Sequence, residues 1–143
     1  MNVLYTASVT SIGGRNGHVE SSDGAIRIDL AAPPSLGGHG RGANPEQLFA
    51  AGYAACFAGA MDYLAQQQHL TPGEITIQSK VGIGPDDSGA FTLVVDLDVT
   101  APGLDQVAAE KLVEQADRTC PYSRATRGNI QVKIVAHGGK SSS

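Results

Sequence analysis

Cysteines and clusters of basic residues are both scarce in this sequence. Among 143 residues there are two cysteines, Cys56 and Cys120, and no run of Lys or Arg, and the formal net charge is -4. Two cysteines are too few for the disulfide framework of a small secreted protein, and neither has a histidine at zinc-ligand spacing. Nucleic-acid binding requires a basic patch that this composition does not supply. We therefore expect no metal site and no nucleic-acid partner.

The sequence also lacks obvious segments that would direct the chain to a membrane. Its first ten residues, MNVLYTASVT, have no basic start and alternate apolar with polar residues, as a strand does. The longest uncharged stretch, residues 47–61, is too short to cross a bilayer and is typical of a buried helix. We expect a cytoplasmic protein without a membrane partner, with one domain at residues 1–136 and a polar tail at 137–143.

The order of patterns along the chain predicts an α+β fold. Alternation from Val3 to Val9, followed by a turn at residues 13–17 whose Asn-Gly step favours positive φ, predicts the start of a three-stranded antiparallel meander. Helical spacing predicts a helix at residues 105–119, which Pro121 would end. Alternation predicts the later strands at residues 75–83, 91–99 and 130–134.

A helix-start signal precedes the first cysteine. Asn44 is suited to be the N-cap, Pro45 the first helical residue and Gln47 the third, which predicts a helix over residues 45–68. This helix is apolar nearly all round and rich in Ala and Gly, so we expect it to be buried on most sides. Cys56 lies in its middle.

The two thiols differ in expected chemistry. A buried cysteine is most often a small hydrophobic residue, and the residues alone leave that interpretation open for Cys56. Cys120 lies at the C-terminal end of a predicted helix, where the helix dipole disfavours a thiolate. If one of the two attacks a substrate, Cys56 is the better candidate.

Several longer strings carry a resemblance to a known family. They are Gly-Gly-Arg at 13–15, SSDG at 21–24, NPEQLFAAGYAACF at 44–57, VGIG at 81–84 and CPYSRATRGN at 120–129. Together they resemble the organic hydroperoxide resistance (Ohr) proteins, a branch of the OsmC/Ohr family, over residues 3–135. The chain departs from the family in having Ala43 where Thr usually precedes Asn-Pro-Glu, in a loop that is one residue shorter, and in extending past the last strand.

The resemblance implies an activity, a fold and a set of site residues. It implies a thiol peroxidase that reduces organic hydroperoxides to alcohols and is recycled by a dithiol, a dihydrolipoyl group, without a cofactor. The implied fold has antiparallel sheets around a long buried central helix in an intertwined homodimer. By motif, Cys56 is the peroxidatic cysteine and Cys120 the resolving one, and the two would form a disulfide. Arg15 and Glu46 would be the polar pair that supports Cys56.

Physical chemistry is consistent with these roles. A buried thiol resists ionisation, so a nearby cation is needed to lower its pKa, and Arg15 stays charged and can be oriented by Glu46. Without the motif match, the better interpretation of Arg15 is a solvated turn residue and that of Glu46 a carboxylate favoured by the helix start, whereas the match favours the site. We expect apolar walls from Leu36, Phe57 and Tyr122, which would favour alkyl and fatty-acid hydroperoxides.

Helix geometry bears on how Glu46 could serve Cys56. At about 1.5 Å per residue, ten residues of continuous helix separate the two by roughly 15 Å, too far for one chain's Glu46 to act through a single Arg. Either the helix breaks near Gly52 or a second chain supplies the carboxylate. A helix apolar on every face favours the second chain, so we expect a two-fold dimer with shared sites.

Alternative functions remain open from the sequence. Gly38, Gly40 and Ala43 fit a dinucleotide-loop pattern, but Pro33-Pro34 and the antiparallel context make a mobile loop the better interpretation. The four histidines lie in polar or turn contexts, and spacing leaves a Cys-His pair open. The second hypothesis for the whole protein is a non-catalytic dimer that senses redox state or binds an apolar ligand.

Overall fold

The computed structural model describes residues 1–140 and has two compact units, Met1–Leu48 and a second that begins at Phe49. Each unit contains its own three-stranded sheet. The mixed α+β class predicted from the sequence is confirmed. The single domain expected at residues 1–136 stays a prediction.

The first unit contains the predicted antiparallel meander. Its strands are β1 (Val9–Ile12), β2 (His18–Ser21) and β3 (Arg27–Asp29), in the order β1-β2-β3. The predicted start of the first strand, at Val3, is wrong, because β1 begins at Val9. Val9 pairs with the last residue of β2, where the chain turns, so β2 offers no partner to residues 1–8.

The turn between β1 and β2 differs from the predicted Asn-Gly turn. Gly13 and Gly14 have φ of 83° and 66°, whereas Gly17 has φ of -111°. The chain makes a short 3-10 helix at Gly14–Asn16 instead of a two-residue hairpin. The left-handed conformations therefore fall on the glycine pair before Arg15, where no side chain opposes them.

The loop after β3 returns beside the strand it leaves. The loop contains a 3-10 turn at Pro34–Leu36. Near the end of the loop, Ala43 forms a parallel bridge with Leu30, the residue that follows β3. A Cβ on Gly38 would lie 1.9 Å from the carbonyl oxygen of Ala32, so close backbone packing requires glycine there. β3 pairs antiparallel with β2 and is not the parallel strand that a dinucleotide loop follows.

Helix α1 (Pro45–Gln67) begins with the predicted capping box. The amide of Gln47 donates to the side chain of Asn44 at 2.9 Å, and the amide of Asn44 donates back to the side chain of Gln47 at 3.1 Å. The predicted end at residue 68 is within one residue of the observed end.

One face of α1 is buried and another is exposed. The buried side chains are Tyr53, Phe57, Met61 and Ala65. Ala51, Ala55 and Gly59 are exposed, so the expectation of burial on most sides is wrong for the single chain. With 23 residues, α1 is longer than the uncharged stretch considered above, and by length and composition alone it could cross a membrane, as can many core helices of soluble proteins.

The second unit contains a mixed sheet. Its strands are β4 (Thr76–Pro85), β5 (Phe91–Asp105) and β6 (Gln131–Lys140), in the order β4-β5-β6. β4 and β5 are antiparallel, as predicted, but β6 pairs with β5 in parallel, which corrects the expectation of purely antiparallel sheets. The connection from β5 to β6 runs through two helices, and such a crossover returns the chain in the same direction.

Helices α2 (Gln106–Thr119) and α3 (Pro121–Thr126) form this crossover, and only α2 was predicted. The Asp105 side chain caps α2 by accepting from the amide of Ala108 at 2.8 Å. The core of the unit is formed by the buried face of α1, alternate residues of β5 and the apolar face of α2. β6 includes residues 137–140, so the predicted polar tail is wrong for these four residues, and its remainder, 141–143, lies outside the described residues.

Candidate active site

The two cysteines lie side by side in the second unit. Cys56 is in the middle of α1, and Cys120 is the single residue between α2 and α3. Their sulfur atoms are 3.6 Å apart, and both thiols are free. A disulfide has a sulfur–sulfur distance of about 2.05 Å, so the two atoms must approach by about 1.5 Å to bond. They are 64 residues apart in sequence, and the fold brings them together.

Cys120 is fixed by the backbone on both sides. Its amide donates to the carbonyl of Ala116 at 2.7 Å, which closes the last turn of α2. Its own carbonyl accepts from the amide of Arg124 at 3.0 Å, which closes the first turn of α3. Pro121 begins α3 at the position where a missing amide hydrogen costs least. The Cys120 side chain is completely buried.

The environment of Cys56 makes its thiolate costly within this unit. Burial is the largest effect and raises the pKa of the Cys56 thiol. The backbone N–H of Tyr122 hydrogen-bonds the sulfur and opposes that shift, whereas the neighbouring Cys120 thiol raises the pKa further. None of these groups in the second unit carries a positive charge, and their net effect is to raise the pKa of the Cys56 thiol.

Arg15 and Glu46 form an ion pair within the first unit. Nη1 of Arg15 donates to Oε2 of Glu46 at 2.8 Å, and Nη2 donates to Oε1 at 2.6 Å, so the contact is bidentate. Hydrogen bonding from the guanidinium lowers the pKa of the Glu46 carboxyl, and the same contact raises the pKa of Arg15. The Arg15 side chain remains 37% exposed, so its charge is not enclosed by this pair. The turn at the glycine pair positions the guanidinium, and the first turn of α1 positions the carboxylate.

The three predicted substrate-wall residues lie in different surroundings. Leu36 ends the 3-10 turn of the first unit and is partly exposed. Phe57 is completely buried in the core of the second unit, so a substrate could reach its ring only if the core opened. The junction of α2 and α3 at Cys120 is called the Cys120 corner. Tyr122 lies two residues after Cys120, in the first turn of α3, and is 40% exposed. The role of all three in substrate binding stays a prediction.

An apolar cavity adjoins the Cys120 corner and has a volume of about 430 Å³. It is lined by residues of α1, β5, α3 and the turn before β6, namely Phe49, Leu93, Pro121, Tyr122, Ala125, Thr126, Asn129 and Ile130. Tyr122 is the only one of the three predicted walls among them. The cavity is large enough and apolar enough for an alkyl chain or an aromatic ring.

Two aromatic rings of α1 pack against Tyr122. Phe49 and Tyr53 lie with their ring centroids 6.2 Å and 5.8 Å from that of Tyr122. A Cβ on Gly52 would lie 2.9 Å from the Tyr122 hydroxyl oxygen, so glycine is what allows this ring to approach the helix. The predicted alternative of a helix break at Gly52 is wrong, because α1 continues through it.

Sequence reasoning missed a buried cluster of hydroxyl groups beneath the cysteine corner. The Tyr53 hydroxyl lies 2.8 Å from the hydroxyl of Ser123 and 3.2 Å from that of Thr126. A tyrosine in an apolar helix requires a partner for its hydroxyl when it is buried, and this was the available signal. The partners are 70 and 73 residues away, so they could not be identified from local patterns. Within residues 1–140 no group of three or more His, Cys, Asp or Glu side chains could hold a metal ion.

The chain is similar to several known proteins along nearly its whole length. A family model described as OsmC-like protein matches residues 38–135. The organic hydroperoxide resistance protein of Xanthomonas axonopodis pv. citri is 54% identical over 135 residues, which cover 93% of this chain and 94% of that protein.

Solved structures of similar proteins have the same fold. The crystal structure of an organic hydroperoxide resistance protein from Elizabethkingia anophelis, with thiocyanate bound, has a TM-score of 0.92 at 45% identity and covers 96% of this chain and 99% of that one. A putative organic hydroperoxide resistance protein from Vibrio cholerae, with captopril in one of its active sites, has a TM-score of 0.90 at 40% identity, with 97% and 94% of the two chains covered.

Proposed function

The chain belongs to the organic hydroperoxide resistance branch of the OsmC-like family, and on that premise we propose that it is a thiol-dependent peroxidase that reduces organic hydroperoxides to alcohols. A role in organic hydroperoxide detoxification follows from membership of this family. We propose the cysteine mechanism and the dimer from the geometry described above, and the reductant from the family resemblance.

The observation that carries the mechanism is the 3.6 Å separation of the Cys56 and Cys120 sulfur atoms. In the first step, the Cys56 thiolate attacks the terminal oxygen of the hydroperoxide and the O–O bond breaks. The alkoxide takes up a proton and leaves as the alcohol, and Cys56 becomes a sulfenic acid. Two electrons pass from sulfur to oxygen.

In the second step, the Cys120 sulfur attacks the Cys56 sulfur. An S–S bond forms, the S–O bond breaks, and the departing hydroxide combines with the Cys120 proton as water. A buried thiol that already touches the sulfenic acid makes this step intramolecular and fast. Rapid disulfide formation protects Cys56 from further oxidation to the sulfinic acid.

A dithiol, a dihydrolipoyl group in our proposal, then restores the enzyme. One of its thiolates attacks the Cys56–Cys120 disulfide to give a mixed disulfide. Its second thiol displaces the protein sulfur and leaves as the cyclic disulfide. Both protein thiols are thereby reduced, and the protein itself needs no cofactor for this cycle.

Arg15 supplies the positive charge that the thiolate requires. Burial raises the pKa of the Cys56 thiol, and the Arg15 guanidinium is permanently charged and held by the bidentate contact with Glu46. The contact uses one edge of the guanidinium, and the partly exposed remainder can face a sulfur atom. In this role Glu46 orients Arg15 and does not touch the substrate.

A homodimer is the assembly in which we place this site. The exposed stripe of Ala51, Ala55 and Gly59 on α1 would allow two such helices to pack closely along a two-fold axis. Because α1 is continuous, Glu46 and Cys56 of one chain stay about 15 Å apart along it. We therefore propose that each site combines Cys56 and Cys120 of one chain with Glu46 and Arg15 of the other.

The apolar cavity beside Tyr122 supports alkyl and fatty-acid hydroperoxides as substrates. Burial of a hydrocarbon chain contributes about 0.8 kcal/mol per CH₂ group, a gain that hydrogen peroxide cannot obtain. We place the protein in the cytoplasm, where reduced dithiols are available. Nucleic acid and membrane have no part in this mechanism.

The experiment that tests the function is steady-state turnover with dihydrolipoamide as reductant. We expect sustained reduction of cumene hydroperoxide and of a fatty-acid hydroperoxide, with kcat/KM at least about tenfold higher than for hydrogen peroxide, the factor that 1.4 kcal/mol of apolar contact supplies. A protein that is oxidised once and is not recycled by any dithiol would instead be a redox sensor. A protein that binds the hydroperoxide without consuming it would be a ligand-binding dimer.

A further inference from the structure

The corner that carries Cys120 is supported from two sides. On the exposed side, Nη2 of Arg127 donates to the backbone carbonyl of Asp117 at 2.6 Å and to its carboxylate at 3.0 Å. On the buried side, the Tyr53 hydroxyl meets Ser123 and Thr126 of α3. Arg127 and Asp117 are both partly solvated, which weakens their ion pair. The buried hydroxyl cluster is therefore the stronger restraint on the corner.

The hydroxyl cluster connects the two cysteine-bearing segments. Tyr53 is one turn before Cys56 on α1, and Ser123 is three residues after Cys120. Tyr53 is 0% exposed and Ser123 1%, so no water competes for their hydrogen bond. Thr126 also donates to the carbonyl of Ser123 at 3.2 Å, which ties the end of α3 to its first turn. One hydroxyl from α1 thus contacts both the third and the last residue of the six-residue helix.

Two groups of the proposed reaction depend on the position of that helix. Hydrogen bonding from the backbone N–H of Tyr122, in the first turn of α3, lowers the pKa of the Cys56 thiol. The Cys120 thiol, immediately before the helix, lies 3.6 Å from the same sulfur. Both lie within three residues of Ser123. A shift of α3 by a fraction of an ångström would weaken the first contact and lengthen the second.

We propose that Tyr53 is a positioning residue whose buried hydroxyl, through Ser123 and Thr126, sets the Tyr122 N–H and the Cys120 thiol against the Cys56 sulfur. The inference rests on the peroxidase function proposed above, because it assigns Tyr53 to the same two thiols. Tyr53 itself touches neither the substrate nor the reacting atoms. By positioning the Tyr122 N–H, it stabilises the Cys56 thiolate. By positioning the Cys120 thiol, it speeds disulfide formation.

The test uses Tyr53→Phe, which keeps the ring and removes only the hydroxyl. Its matched control is Tyr63→Phe on the same helix, where the ring is 58% exposed and outside the hydroxyl cluster. Ser123→Ala deletes the other end of the same hydrogen bond and provides a second variant if Tyr53→Phe folds poorly. Neither measurement below uses a hydroperoxide, so both can be interpreted even if the protein proves not to be a peroxidase.

The first measurement is the pH dependence of Cys56 alkylation by iodoacetamide, with Cys120→Ser as the common background. We expect Tyr53→Phe and Ser123→Ala to move the Cys56 profile to higher pH, because the Tyr122 N–H no longer donates well to the thiolate. At neutral pH, alkylation should slow by about fivefold, the factor that corresponds to one hydrogen bond. Tyr63→Phe should match its parent, because its hydroxyl lies outside the cluster. If Tyr53→Phe only destabilised the fold, the pH profile of Cys56 alkylation would stay in place.

The second measurement uses diamide, whose N=N bond accepts the two electrons and two protons of two thiols. Cys56 adds to the N=N bond first, and Cys120 then displaces the adduct, forming the S–S bond and releasing the hydrazine. Mass spectrometry of acid-quenched samples gives the lifetime of the adduct, which we expect to lengthen by about fivefold in Tyr53→Phe and Ser123→Ala. In the double variant the effects should be less than additive. Alkylation profiles and adduct lifetimes equal to those of Tyr63→Phe would overturn the proposal.

Discussion

Replacement of Cys56 by serine is expected to reduce hydroperoxide consumption to background, whereas replacement of Cys120 by serine is expected to leave one turnover per chain. A serine hydroxyl does not ionise near neutral pH, so Cys56→Ser removes the nucleophile. Cys120→Ser keeps the nucleophile and loses the thiol that captures its oxidised form. The Cys56 sulfenic acid should then accumulate, one per chain, and excess peroxide should carry it to the sulfinic acid.

The difference between the two variants is measured by trapping and by mass. After one equivalent of cumene hydroperoxide, dimedone should label Cys56 in Cys120→Ser and label nothing in Cys56→Ser. Non-reducing gels and intact mass should show an intramolecular disulfide in the unaltered protein alone. Equal residual activity in the two variants, or dimedone on Cys120, would refute the assignment of attack to Cys56.

A Cys56→Ser chain and a Glu46→Ala chain, each strongly impaired alone, are expected to form a more active dimer when they are combined. Cys56→Ser chains supply Glu46 but no nucleophile, and Glu46→Ala chains supply Cys56 but leave Arg15 unheld. A charged hydrogen-bonded contact contributes about 1.5 to 3 kcal/mol, so Glu46→Ala alone should lose roughly ten- to hundredfold in activity. If each site combines residues of both chains, the refolded heterodimer contains one intact site and should regain about half of the unaltered activity.

The reciprocal mixture makes this test decisive. This mixture pairs an unaltered chain with a chain that carries both Cys56→Ser and Glu46→Ala. The only Cys56 of that heterodimer is on the unaltered chain, and the other chain has no Glu46 to offer it. Shared sites predict that this heterodimer is as poor as Glu46→Ala, whereas sites within one chain predict half activity. Arg15→Ala can replace Glu46→Ala in both mixtures to ask which chain supplies the guanidinium. An inactive first mixture and an active second mixture, in verified heterodimers, would contradict the shared site.

Features that depend on neighbouring residues were predictable from the sequence. The capping box at Asn44 and Gln47 is a local hydrogen-bond pattern, and the structure confirms it. The meander and the β4–β5 hairpin follow from alternation and turn residues, and they are present. The presence of two cysteines with different surroundings could also be read from the chain.

Features that depend on distant contacts were not predictable from local patterns, and the pairing of Arg15 with Glu46 and of Cys56 with Cys120 was expected only from the family resemblance. The parallel pairing of β6 with β5 depends on where α2 and α3 return the chain. The bidentate geometry of Arg15 with Glu46 joins residues 31 apart, and the cluster around the Tyr53 hydroxyl spans more than 70 residues. The exposed stripe on α1 was missed because apolar composition alone does not reveal which face one chain covers and which it leaves open.

The central claim is that Cys56 and Cys120 act as a two-electron pair on an organic hydroperoxide, and one titration tests it directly. Reduced protein is mixed with substoichiometric cumene hydroperoxide in the absence of any dithiol, and 2-phenyl-2-propanol and the protein disulfide are quantified together. We predict one alcohol formed and two thiols lost for each hydroperoxide, with all of the loss in a Cys56–Cys120 disulfide within one chain. Alcohol formation without loss of thiols, or thiol loss without alcohol, would contradict the mechanism.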